Sequence, residues 1–291
     1  MKRKMLSFLA ALILLILTTG PSHAAQAGGG KIKAFVSIVP QKYFVDRAGG
    51  DYVDAGVLVE EGQSPETYEP TPAKMSQLAR SRVFFTIGAP FERVLVPKVA
   101  GVLPKLSIID TSKGVSVLSF APGSGEQGTD PHIWLDPKRA KIIAGNISEA
   151  LIKIDPAHGG YYKKSSAAFL KDLDKLDVEI AGMLAPFKGR KVFVFHPAFG
   201  YFCESYGLTQ VAFEIEGKEP SARQMARLIE SMRKENVRTI FVQPQFSQKA
   251  AREIARTIGG KVVPIDPLPK DYLTDMRKLA LTIKSSLAEQ R

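Results

Sequence analysis

The sequence contains almost no cysteine. Cys203 is the only one in 291 residues, which excludes an intramolecular disulfide and a zinc site built from several cysteines. The N-terminal region has none at all, so we expect an exported form without a lipid anchor. Cys203 itself, in the stretch YFCESYGL, is expected to be a small packed thiol.

Blocks of like charge are also missing. The chain has 40 Lys and Arg against 29 Asp and Glu, a net charge of +11 that becomes +8 without Lys2, Arg3 and Lys4. The basic residues are spread along helix-like segments and are not interleaved with aromatic residues. We therefore expect no binding of nucleic acid. The basic surface is expected to serve solubility or contact with an acidic partner.

Long hydrophobic runs are missing except at the start of the chain. There Lys2-Arg3-Lys4 precede MLSFLAALILLIL, and small residues follow in SHAAQAGGG. This order is typical of a secretory signal, and the run is short for a membrane span. We expect cleavage after Ala24 or Ala27 and a soluble mature protein in the periplasm. An uncleaved membrane anchor is the alternative.

Apolar, β-branched runs alternate with helix-period segments through the rest of the chain. Four runs in the first half (KIKAFVSIV, YVDAGVLVE, RVFFTIG, LSIIDTS) and four in the second (KVFVFHP, LTQVAFEI, RTIFVQP, KVVPIDP) predict strands with helices between them. Between the two series, residues 158–185 lack a strand candidate and carry apolar residues at helical spacing, which predicts a helix about 40 Å long.

This pattern predicts an α/β fold of two lobes, each a four-stranded, mainly parallel sheet with flanking helices, joined by one long helix. The predicted boundaries are a signal peptide at 1–27, an N-terminal lobe at 28–155, a linking helix at 156–186 and a C-terminal lobe at 187–291.

Four polar residues stand at positions suited to a ligand site. Glu66 follows the second predicted strand, His196 and Asp266 end later strands, and His132 follows a Gly-rich loop at 121–130. Each is next to a proline, which fixes the local backbone. Ligands of open α/β sheets bind beyond the carboxyl ends of strands. Two imidazoles and two carboxylates suit zinc, or manganese or iron(II) when carboxylates bind through both oxygens.

Each of these residues also has a structural interpretation. A histidine at a strand end is often a hydrogen-bonded structural residue, and Glu66 and Glu69 are equally compatible with a solvated loop. Asp136 is expected to cap a helix, and His158 to start one. Sequence spacing alone leaves open whether the four residues meet.

Several motifs, taken in order, resemble a known family. They are SPETYEPTP, IGAPFERVL, DPHIWLDP, FHPAFGYF, YGL, GKEPSARQM and IDPL. The mature chain resembles the metal-binding cluster of periplasmic substrate-binding proteins, the zinc- and manganese-specific receptors of ABC importers. The resemblance implies two α/β lobes joined by a rigid long helix, with metal bound in the cleft between them.

The resemblance also implies which residues bind the metal. Carried over by position, the ligands are Glu66, His132, His196 and Asp266. The sequence departs from the family pattern at Glu66, where relatives usually have histidine. The loop before His132 also lacks the histidines that zinc receptors of the family often carry. Both departures leave the identity of the metal open.

The expected function is therefore a periplasmic receptor that binds Zn²⁺ and delivers it to an inner-membrane ABC permease, as a monomer and not as an enzyme. Alternatives are a Mn²⁺ or Fe²⁺ receptor of the same type, a receptor for an organic solute or metal chelate, and a metallohydrolase with Glu66 or Glu69 as base. Further candidates are residues that close the cleft or orient the histidines: Tyr68, Trp134 and Phe199 for closure, Asp130 and Glu219 for orientation.

Overall fold

The structure, a computed structural model, describes residues 30–120, 128–213, 222–246 and 248–289, and from Lys31 onward the chain forms one compact unit. The predicted signal peptide at 1–27, Glu219 and most of the Gly-rich loop lie outside the described residues. Within the described ranges, no helix is both long enough and apolar enough to cross a bilayer.

The first half of the chain forms a parallel sheet of four strands in the order β2-β1-β3-β4. Its strands are built from the β-branched runs of the sequence, and the central ones are almost wholly buried. The strands are β1 Ile32–Ile38, β2 Val53–Val59, β3 Val83–Thr86 and β4 Ser107–Asp110, and the helices between them are α1 Val39–Gly49, α2 Pro72–Ala79 and α3 Glu92–Val102.

The strand β3 is shorter than the sequence predicts. RVFFTIG indicates a strand through Gly88, but the strand ends at Thr86. The backbone N–H groups of Ile87 and Gly88 donate to the buried carboxylate of Glu92 at 2.8–3.2 Å. A side-chain acceptor therefore replaces the neighbouring strand at this point.

The second half forms another parallel sheet, in the equivalent order β6-β5-β7-β8. The strands are β5 Lys191–Val194, β6 Thr209–Ala212, β7 Thr239–Val242 and β8 Lys261–Pro264, and the helices are α6 Gly200–Ser205, α7 Ala222–Lys234, α8 Lys249–Thr257 and α9 Tyr272–Ala288.

Two helices join the sheets. The helix α4 runs over Pro137–Ile154, and the side chain of Asp136 accepts from the Lys138 N–H at its start, as expected for an N-cap. The helix α5 runs over Gly159–Leu184, 26 residues or about 39 Å. It packs against α1, α4 and α9. The predicted two-lobe α/β fold with one long connecting helix is confirmed, whereas the boundaries at 28–155, 156–186 and 187–291 stay predictions.

Candidate metal centre

Glu66 lies in the loop between β2 and α2. The Ser64 hydroxyl donates to its Oε2, and the Glu66 backbone N–H donates back to Ser64 Oγ at 3.3 Å. Further along, Thr71 Oγ1 accepts from the Lys74 N–H and caps α2. The polar loop that sequence alone leaves ambiguous is therefore tied down at both ends, with Glu66 half-buried.

His132 is in contact with Asp130. The Asp130 Oδ1 accepts from the His132 backbone N–H at 2.9 Å and lies 2.7 Å from its Nδ1. Both side chains are buried. An ionised carboxylate beside Nδ1 keeps the proton on that nitrogen and directs Nε2 toward a metal, the arrangement common for metal-binding histidines. Asp130 therefore contacts His132 in the structure, and its role in orienting the histidine stays a prediction.

A glycine makes room for Asp130. A Cβ at Gly200, the first residue of α6, would lie 2.6 Å from Asp130 Oδ2. The next residue, Tyr201, donates its hydroxyl to the Asp130 carbonyl at 2.7 Å. The second half of the chain therefore helps to hold the aspartate that contacts His132.

His196 lies two residues beyond β5. Its backbone N–H donates to Gln243 Oε1 at 3.1 Å, and Gln243 Nε2 donates to the His196 carbonyl at 2.9 Å. The imidazole stacks on Phe246, with ring centroids 4.7 Å apart. Gln243 and Phe246, which both follow β7, therefore fix His196, and the sequence analysis identified neither of them. The only sign of these contacts in the sequence is that a polar residue, Gln243, stands at a strand end in IFVQPQF.

Three ligand atoms converge at one point. The His132 and His196 Nε2 atoms are 3.3 Å apart, and Glu66 Oε1 lies 3.5 Å from the first and 3.3 Å from the second. Glu66, His132 and His196 form the one group of three metal-binding side chains found among the described residues. In the plane of the three atoms, the point that is equidistant from them lies about 1.9 Å from each. That distance is close to the 2.0–2.1 Å of zinc bonds to nitrogen and oxygen, so these three side chains would be able to hold one zinc ion between them.

The charges at this point favour a cation. Burial lowers the pKa of His132, but Asp130 and Glu66 outweigh burial and raise the pKa to about 9. Burial raises the pKa of Glu66, but hydrogen bonds from His132 and His196 hold that pKa well below its ordinary range. Glu66 is therefore ionised at neutral pH, and a metal must displace the proton of His132 to bind its Nε2.

Asp266 is not brought into this group. Its Oδ1 accepts from Gln245 Nε2 and from the Leu268 backbone N–H, both at 2.9 Å. The side chain is exposed and lines a separate cavity together with Glu61 and Asp275. Of the four predicted ligands, three meet and the fourth is hydrogen-bonded beside them.

The predicted cleft residues differ in position. Trp134 lines the small cavity at the three ligand atoms and donates its Nε1–H to the Pro267 carbonyl at 2.6 Å. Tyr68 lies in the adjoining groove, edge-on to Phe91. Phe199 is fully buried in the core and is not among the residues that line either space.

Comparison with known proteins shows the family of the chain. The sequence profile of the family described as zinc-uptake complex component A, periplasmic, matches residues 35–286. The chain belongs to this family. Membership confirms the expectation of a substrate-binding receptor instead of an enzyme.

Solved structures and sequence relatives support the same assignment. A crystal structure of ZnuA is 35% identical, with a TM-score of 0.84, and covers 88% of this chain and 99% of its own. A zinc-bound deletion mutant of ZnuA is 36% identical, with a TM-score of 0.83 over 88% of this chain and 98% of its own. The zinc-binding lipoprotein AdcA of Streptococcus pneumoniae is 28% identical over 99% of this chain and 62% of its own length.

Proposed function

We propose that this protein is a periplasmic receptor that binds Zn²⁺ through Glu66, His132 and His196 and passes it to a membrane permease. The observation that carries the proposal is the convergence of two imidazole nitrogens and one carboxylate oxygen at 3.3–3.5 Å. The signal peptide predicted at 1–27, if cleaved as predicted, would deliver the mature protein to the periplasm, the compartment named in the family description.

The spacing of the three atoms supports zinc. Ligand atoms of a regular tetrahedral site with 2.05 Å bonds lie about 3.3 Å apart, whereas those of an octahedral site with 2.1 Å bonds lie about 3.0 Å apart. The separations of 3.3–3.5 Å in the structure are nearer to the tetrahedral value. Two imidazoles with one carboxylate are also a common zinc ligand set, and the relatives with assigned metals are described as zinc proteins.

Asp266 is the fourth ligand predicted from the sequence, and we propose that it can bind the ion only when its hydrogen bond to Gln245 is released. It lies beyond the end of β8, next to Pro267, whose carbonyl accepts from Trp134 at the cavity wall. In that released state, with Glu66 and Asp266 both ionised and both histidines neutral, the ligands would neutralise a divalent ion. We propose that the receptor delivers the ion to an inner-membrane ABC permease.

The test is metal binding by protein purified without an affinity tag. We expect one Zn²⁺ per chain, and we expect His132→Ala and His196→Ala to lower the zinc affinity about a thousandfold, measured by competition with a chromophoric chelator. His158→Ala is the matched control, because His158 lies elsewhere, stacked on Tyr52 and bonded to Asp155. Equal losses in all three variants, or no zinc in the parent protein, would contradict the proposal. Tighter Mn²⁺ or Fe²⁺ binding than Zn²⁺ would contradict zinc as the cargo.

A further inference from the structure

Gln245 lies between Asp266 and the three ligand atoms. It follows β7 by three residues and lines the small cavity together with Glu66, His132 and His196. Its Nε2 donates to Asp266 Oδ1 at 2.9 Å. Because a carboxylate only accepts hydrogen bonds, this contact fixes which end of the amide faces Asp266.

The other end of the amide is unsatisfied. Gln245 Oε1 is buried, and among the described residues it has no hydrogen-bond partner. A buried acceptor without a partner is rare in proteins, since it loses its bonds to water and gains none in return. Such an atom at the wall of an ion site is suited to accept from a water molecule bound to the ion, because a divalent cation makes the water a stronger hydrogen-bond donor than bulk water.

We propose that Gln245 determines the metal selectivity of the receptor by restraining Asp266. Its amide N–H₂ holds the carboxylate outside the group of ligand atoms, and its amide oxygen accepts from a solvent molecule at the fourth position. The ion then has three protein ligands and one water, a tetrahedral set. This inference depends on the proposed metal site, because it assigns a role at that same site.

The restraint discriminates between ions by their preference for ligands. Carboxylate oxygens and high coordination numbers suit Mn²⁺, whereas four ligands with imidazole suit Zn²⁺. A free Asp266 adds a second carboxylate, which is able to bind through both oxygens and to raise the coordination number. Release of Asp266 therefore benefits Mn²⁺ more than Zn²⁺. Gln245 is in this sense a positioning residue, since it acts on the ion through Asp266.

The test uses Gln245→Met, which keeps the length of the side chain and removes both the donor and the acceptor. We expect the Mn²⁺ affinity to rise about tenfold and the Zn²⁺ affinity to change less than about threefold, so that the preference for zinc falls. Gln248→Ala, three residues along, is the matched control, because its side chain accepts only from Arg252 in the described structure. Gln245→Ala repeats the test if the Met variant folds poorly by circular dichroism.

A second substitution isolates Asp266. In the Gln245→Met background, Asp266→Asn should abolish the gain in Mn²⁺ affinity, whereas the two effects would simply add if the residues were independent. Co²⁺ absorption gives a readout that a purely structural role would leave unchanged. We expect the intense visible bands of four-coordinate Co²⁺ in the parent protein to weaken in Gln245→Met and to return in the double variant.

The outcomes separate this inference from the proposed function. An unchanged ratio of Mn²⁺ to Zn²⁺ affinity in Gln245→Met, or a gain that persists with Asp266→Asn, overturns the role of Gln245 and leaves the three-ligand zinc site standing. Absence of zinc binding in the parent protein, or full binding in His132→Ala, overturns the site and the inference together.

Discussion

The two sheets have equivalent strand orders but differ in what covers them. Both faces of the first sheet belong to one large apolar cluster, which also includes the connecting helices α4 and α5. In the second sheet, alternate residues divide between two clusters. Val192 and Val194 of β5 join the large cluster, whereas Phe193 and Phe195 belong to a separate, smaller one beneath α7 and α8, with 11 buried residues among those that the structure describes. The period-two alternation of a strand thus gives the second lobe an outer layer of its own.

The metal centre spans this difference. His132 is followed directly by Ile133, Trp134 and Leu135, all buried in the large cluster. Gln245, in contrast, extends from β7, whose Ile240 and Val242 belong to the small cluster. Small clusters with few buried contacts open at lower free energy than large ones. The comparison indicates a firm half of the site at His132 and an adjustable half at Gln245.

The largest expected effect comes from removing one phenylalanine from each cluster. Phe169 of α5 is 0% exposed in the large cluster, and Phe193 is 2% exposed in the small one. Phe169→Ala should cost about 3–5 kcal/mol of unfolding free energy and reduce amide protection in both lobes. Phe193→Ala should reduce protection in β7, α7 and α8 while β1 and β3 stay protected. Hydrogen exchange followed by mass spectrometry checks this. Loss of protection throughout the molecule in both variants would show that the lobes unfold as one unit.

The next effect concerns a buried acid found in the first lobe. Burial raises the pKa of Glu92 to about 7, against the N–H bonds from Ile87 and Gly88. The folded protein therefore holds a proton that the unfolded chain, with an ordinary pKa of 4.5, has lost. Stability from this group is present below pH 4.5 and is lost as the pH rises to 7, by about 1.4 kcal/mol per pH unit or roughly 3 kcal/mol in total.

Glu92→Gln tests this by mimicking the neutral acid. Urea unfolding at several pH values should show the variant gaining on the parent protein between pH 5 and 7, with no further change above about pH 7.5. Glu69→Gln, in the exposed loop before α2, is the matched control, because it makes the same change at an exposed side chain. A constant difference between Glu92→Gln and the parent protein at all pH values would mean that the pKa of Glu92 is the same in the folded protein as in the unfolded chain.

A smaller effect, on zinc affinity, is expected from Asp130, which contacts His132 and is itself held by residues of the second lobe. Asp130→Asn keeps the shape but removes the charge beside Nδ1, so the zinc affinity should fall about 10- to 100-fold while folding is retained. Asp155→Asn is the matched control, because Asp155 holds His158 through the same contact, 2.6 Å from its Nδ1. A similar loss in the control would assign the effect to general destabilisation. Isothermal titration with zinc makes the comparison.

Sequence alone predicted most of the fold, because the runs that form the central strands β1, β3, β5 and β7 are mostly apolar, as strands covered on both faces of a parallel sheet require. It did not predict the end of β3, where backbone N–H groups donate to the carboxylate of Glu92 and not to a neighbouring strand. A short-range signal was reliable: Asp136 caps the helix that it was expected to cap. Capping depends on a contact two or three residues away and is therefore visible in the sequence.

The candidate site was predictable only in part. Glu66, His132 and His196 were singled out because they stand near strand ends and loops that face one edge, and they do meet. Asp266 has the same sequence signal, yet its carboxylate bonds to Gln245. A hydrogen bond between residues on two different loops is decided by their spatial positions, which no local pattern encodes. The sequence therefore does not predict which partner a polar side chain such as Asp266 bonds to.

The smallest effect is expected for an ion pair on the surface between the lobes. Lys270, beyond β8, lies 2.6 Å from Glu61, beyond β2, and the two side chains are 75% and 62% exposed. Solvent and salt screen such a pair, so Lys270→Ala should shift Tm by less than about 2 °C and the zinc affinity by less than about twofold. Arg277→Ala, which removes contacts at 2.7 and 2.9 Å between α9 and Glu179 on α5, should shift Tm more. Thermal unfolding at low and high salt measures both. A large salt-sensitive shift for Lys270→Ala would mean that surface charge, and not the shared core, holds the second lobe against the first.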